Sequence, residues 1–63
     1  MNEQYTVIKR LAEHIRVDDK INDSGIWETV TAVTAEDGFI AIETNLGVIL
    51  LNPTAEVRVR VLA

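Results

Sequence analysis

"WETVTAVTAEDGFIAIETNLGVILLNPTAEVRVRV", residues 27 to 61, decides the fold. Half of its apolar residues are β-branched, and they fall in short blocks separated by turn chemistry, not at helical spacing. Asp37-Gly38 supplies positive φ, Asn45 and Gly47 bracket a tight hairpin, and Pro53 fixes φ within "NPTA". Strands joined this briefly must run antiparallel. "VRVRV" alternates, so Val57, Val59 and Val61 share the core face while Arg58 and Arg60 face solvent. The same period turns Ile40 and Ile42 inward, with Phe39, Ala41 and Glu43 outward. "GVILL" resists this treatment, because Val48 and Leu50 on one face and Ile49 and Leu51 on the other are all apolar. Either the strand is covered twice or it lines an interface.

Upstream of Trp27 two readings compete over residues 4 to 14. Ile8, Leu11, Ala12 and Ile15 fit the i, i+3, i+4, i+7 spacing of an amphipathic helix. Thr6, Val7 and Ile8 are consecutive β-branched residues, which favour a strand. The preferred reading is a strand ending near Leu11, followed by a turn through Ala12 to His14.

The 63 residues make a single domain, 1–63, near the size at which a chain can only just bury a sufficient core. There is no cysteine, so no disulfide staples the fold, and a reducing, cytoplasmic setting is expected. MNEQYTVIKRLAEH carries no basic region followed by an apolar run, and "GVILL" is far too short to span a bilayer, so no membrane role is expected. Ten acids against six bases give a net charge of −4, which opposes non-specific attraction to a phosphate backbone. Hydrophobic residues make up 48% of the chain, high for a domain with so much surface, and this points to a protein partner, with self-association its simplest form.

"AEHIRVDDKIND" followed by "WETVTAVTAEDGFIAIETNLGVILLNPTAEVRVRVL" resembles the SH3-like barrel domains of small bacterial and phage accessory proteins, whose leading segment reads Ala-x-x-Ile-x-Val-Gly-Asp-x-Ile. The likeness covers roughly residues 12 to 62. It implies an all-β, SH3-like small barrel of five or six short antiparallel strands. Val17 and Ile21 then face the barrel across a turn, Asp18 stands where the family has glycine, and Asp19 matches the family's aspartate. The alternative is an Sm-like barrel, in which residues 3 to 14 form an amino-terminal helix lying on the sheet.

The candidate chemistry is sparse. Asp18, Asp19 and Asp23 suggest a calcium loop, but Ile21 occupies a ligand position and Glu28 comes too early to close it, so no metal is expected. His14 and Ser24 are the sole histidine and serine, and nothing in their spacing makes a nucleophile and base of them. No catalytic residue and no cofactor is assigned, and a non-enzymatic interaction module is expected. The partner-binding residues are read as Trp27, Phe39, Ile49 and Leu51, combining aromatic anchors with the two-faced strand. The alternative function is nucleic-acid binding through Arg58 and Arg60, with Lys9 or Arg10 beside them. The preferred account of those arginines is a solvated strand face balanced by Glu28, Glu43 or Glu56 across the sheet.

Overall fold

The computed structural model describes residues 4–63. The first three residues of the expected 1–63 domain, and the first residue of the alternative helix over 3–14, lie outside them. The described residues form six strands: β1 (Tyr5–Leu11), β2 (Lys20–Asp23), β3 (Ile26–Glu36), β4 (Phe39–Thr44), β5 (Gly47–Leu51) and β6 (Glu56–Leu62). A 3-10 turn, Ala12–His14, follows β1. The fold is all-β, as the sequence predicts. The helix of the Sm-like alternative is not formed, because the β-branched run Thr6–Val7–Ile8 pairs in register with Val61, Arg60 and Val59 of β6.

All six strands belong to one open antiparallel sheet in the order β1-β6-β2-β3-β4-β5. β3 makes the sheet bend. Its first residues pair with β2 and its later ones with β4, and the register shifts between Val30 and Ala32, leaving Thr31 as an extra residue. A bulge of this kind kinks a strand and increases its twist, so the two halves of the sheet fold over one another into a barrel-like shape. Eleven residues at roughly 3.3 Å each give β3 a length of about 36 Å. The molecule measures 44 × 21 × 19 Å.

Between the halves lies the core. Ile8, Val59 and Ile21 stand side by side across β1, β6 and β2, and Ile40 and Ile42 of β4 meet them from the other half beside Val30. Ala12 and Ile15 close one end: Ala12 N–H donates to the Ala55 carbonyl at 2.8 Å and Glu13 N–H to the Pro53 carbonyl at 3.1 Å, docking the 3-10 turn on the β5–β6 connection.

The turns follow the sequence chemistry. Ser24-Gly25 and Asp37-Gly38 have positive φ at both positions, which matches the right-handed twist of hairpins. The turn Arg16–Asp19 closes through Asp19 N–H to the Arg16 carbonyl at 3.1 Å, with Asp18 at φ 76°. Aspartate therefore does occupy a left-handed position, the conformation for which the resemblance expects glycine. Val17, expected to face the barrel, is 53% exposed. It sits at the apex of the turn, where its side chain points away from the sheet, and Ile15 fills the core instead.

Left-handed backbone costs an ordinary L-residue roughly 1–2 kcal/mol, a β-branched one most. Melting temperatures should therefore fall in the order Asp18→Gly, parent, Asp18→Val, with about 1–2 kcal/mol separating the last two. Equal stability of Asp18→Val and the parent would show that the turn does not need positive φ.

Candidate functional site

Two outward faces carry the chemistry. The first belongs to β4 and β5. Opposed pairs Ile42–Ile49 and Ile40–Leu51 bring those residues onto one face, and Ala41–Leu50 and Glu43–Val48 onto the other. Since Ile40 and Ile42 are core residues, Ile49 and Leu51 must follow them inward, and both pack against the core. The assignment of Ile49 and Leu51 to a partner surface is thereby corrected. The outward residues are Val48 and Leu50, 61% and 65% exposed, with Phe39 further along the same face. Ala41 points outward as expected but is almost covered, standing between Thr34 and Leu50. β5 is also an edge of the sheet, so the backbone groups on its free side have no strand to pair with.

The second face is the outer side of β1, β6, β2 and the start of β3. Register places Lys9, Arg58, Asn22 and Trp27 in one row, and Val7, Arg60, Lys20 and Thr29 in the next, with Tyr5 and Leu62 beyond. Arg60 is half-buried rather than freely solvated. Its guanidinium carbon lies 4.8 Å from the centre of the Tyr5 ring and 4.9 Å from that of Trp27, a double cation–π contact. Its Nε is buried without a hydrogen-bond partner. Trp27 is half-buried on this outer face and so lies apart from Phe39, on the other half of the sheet. The two aromatic residues read as partner-binding do not share one surface.

Glu28 does not balance the arginines. It points into the interior, where its carboxylate accepts the Thr44 hydroxyl hydrogen bond, and both residues are 8% exposed. Glu43 stands on the β4–β5 face. Glu56 does lie on the same outer side of β6 as Arg58 and Arg60, opposite Leu11. Among the described residues no carboxylate pairs with Lys9, Lys20, Arg58 or Arg60, whereas Arg10 Nη1 reaches Asp19 Oδ2 at 3.2 Å. Arg10, expected as a possible neighbour of Arg58, alternates onto the other face of β1.

The acidic turn is structural. Asp19 Oδ2 also accepts the Arg16 N–H at 2.9 Å, and Asn22 Oδ1 accepts the Gly25 N–H at 3.0 Å across the next turn. Among the described residues no group of three or more histidines, cysteines or carboxylates could hold a metal ion. His14, 3.7 Å from Glu13, and Ser24 occupy separate turns. One cavity of about 80 Å³ opens between β5 and the ends of β2 and β6, lined by Ile21, Asn22, Asp23, Ile49, Leu51, Glu56 and Val57. Drug-sized ligands occupy pockets of roughly 300 Å³ or more, so it can admit little beyond water or a very small molecule. No helix among the described residues is long and apolar enough to cross a membrane.

The chain is thus a small all-β domain of six antiparallel strands. Comparison with protein-family models, curated proteins and solved structures finds no match.

Proposed function

We propose that this is a non-enzymatic protein-interaction module that associates with a second copy of itself through β5 and the face carrying Phe39, Val48 and Leu50. The observation that supports it is the coincidence of an apolar outward face with a strand edge that bears no charge and no proline from Gly47 to Leu51. Free monomers protect such edges with lysine, proline or a covering loop. Two copies meeting edge to edge about a twofold axis would satisfy both requirements at once, extending the sheet and burying the Val48 and Leu50 side chains of each. Full burial of a valine or leucine side chain is worth roughly 1.5–3 kcal/mol, enough for several such residues to drive association. The resemblance to SH3-like barrels supplies the setting of the proposal, a cytoplasmic accessory role in a bacterium or phage.

Sedimentation or light scattering at micromolar concentration should give at least twice the 7.0 kDa chain mass. Leu50→Glu should reduce it to the monomer with unchanged circular dichroism, because that side chain touches solvent and not the core. Ile49→Glu, placed inward, should instead lower the melting temperature. Added salt should leave the association unchanged or strengthen it. A wild-type protein that stays monomeric over this range, indifferent to Leu50→Glu, would overturn the reading.

A further inference from the structure

We propose that the outer face of β1, β6, β2 and the start of β3 binds single-stranded nucleic acid, independently of the β5 edge. Net charge argues against this only when averaged over the whole chain. Four of the six bases, Lys9, Lys20, Arg58 and Arg60, stand on this one sheet face. With Glu56 counted on this face, its four bases and one acid give +3, and the other two bases and nine acids give the rest of the molecule −7. Neighbouring strands lie roughly 4.8 Å apart and alternate residues roughly 7 Å apart, so the cations form a compact patch and not a scattered set.

Lys9 and Arg58 are exposed, and Lys20 and Arg60 are half-buried. Among the described residues none has a carboxylate partner, and Lys20 Nζ makes only a 3.5 Å contact with the Asp18 carbonyl. Glu56 is the one acid on the same side of β6, at the end of the row. A strand face holding this much unpaired positive charge is itself unfavourable, and a polyanion would relieve it by displacing counterions.

The chemistry between the cations selects among polyanions. The Tyr5 and Trp27 rings flank the Arg60 guanidinium, giving planar surfaces on which a base can stack, and Asn22 and Thr29 add hydrogen-bonding groups in the same two rows. Unstacked bases are recognised by this combination of aromatic and guanidinium planes beside backbone-neutralising cations. An acidic protein would need the charges but not the planes. A lipid surface could use the exposed Val7 and Leu62 at the margin of this face, but it would have no use for a guanidinium held between two aromatic rings, and vesicles therefore enter the test as a competing ligand.

Trp27 is the only tryptophan, so its fluorescence reports directly on the site. Titration with an oligothymidylate of about 12 nucleotides should produce a saturable change. With three or four phosphates neutralised, a slope of about −0.7 per phosphate predicts an affinity loss of about 20- to 50-fold between roughly 50 and 200 mM salt. Lys9→Ala with Arg58→Ala, both at exposed positions, should weaken binding about tenfold or more and reduce the salt slope by about 1.4. Leu50→Glu should bind as the parent does, which separates this surface from the self-association face. Absence of a saturable change at low salt would overturn the proposal. So would equal binding of polyglutamate, or binding confined to phosphatidylserine vesicles, since either outcome would show charge recognition without base stacking.

Discussion

Val59→Asp should abolish folding. Val59 is fully buried in β6, a strand enclosed by β1 on one side and β2 on the other, and its direct neighbours are Ile8 and Ile21. The substitution removes an apolar side chain worth roughly 1.5–3 kcal/mol and places a carboxylate where the cross-strand neighbours are aliphatic. An unpaired buried charge costs several kcal/mol even after relaxation. At roughly 0.05–0.15 kcal/mol per residue, a chain of 63 residues has only about 3–9 kcal/mol of stability to lose. The amide proton resonances should collapse to the narrow range of an unfolded chain. Native-like dispersion in Val59→Asp would mean that β6 tolerates a turned face, contrary to its position between two paired neighbours.

The same strand shows why part of the fold is legible in sequence. Val57, Val59 and Val61 alternate with Arg58 and Arg60, so one look at local polarity assigns both faces. β5 offers no such contrast, and its face is fixed only by register. The turn Asn45–Leu46 sets Thr44 opposite Gly47, which sets Ile42 opposite Ile49, and the inward direction of Ile42 then decides the rest. The signal was present in the sequence, but it required carrying the alternation of β4 across the hairpin. The expectation for Val17 came from the resemblance and not from alternation: it placed Val17 beside the turn as a barrel residue, whereas Val17 lies within the turn itself, next to the left-handed Asp18.

The basic face was legible only in part. That Arg58 and Arg60 share a side follows from their spacing. That β6 lies between β1 and β2, bringing Lys9 and Lys20 alongside, depends on pairings between the two ends of the chain. Total charge concealed the patch, since a sum over residues discards position. The burial of Glu28 was likewise invisible, because a glutamate in an alternating strand reads as a solvent-facing residue until its partner across the core is known.

That partner makes the last expected result specific. Thr44→Val keeps the shape of the side chain and removes its hydroxyl, which donates to Glu28 Oε1 and accepts the Leu46 N–H at 3.0 Å. Among the described residues Thr44 is the one side chain hydrogen-bonded to the Glu28 carboxylate. The bond spans the two halves of the sheet, from the part of β3 paired with β2 to the end of β4, where the bulge has interrupted the ladder. Asn45 reinforces the same junction: its Oδ1 accepts the Thr29 N–H at 2.8 Å and its own N–H donates to the Thr29 carbonyl at 3.1 Å. Leaving a buried polar group unsatisfied costs about 1–3 kcal/mol, with charged groups at the upper end. Denaturant unfolding of Thr44→Val should therefore show a loss of about 2–3 kcal/mol with an unchanged slope, and the melting temperature should fall by about 10–20 °C. Glu28→Met in the Thr44→Val background should recover much of that loss, because two apolar groups leave nothing unpaired. A Thr44→Val protein within about 0.5 kcal/mol of the parent would show that Glu28 finds its solvation elsewhere. A double variant no better than Thr44→Val would show that the polar pair contributes shape at the bend instead of hydrogen bonding.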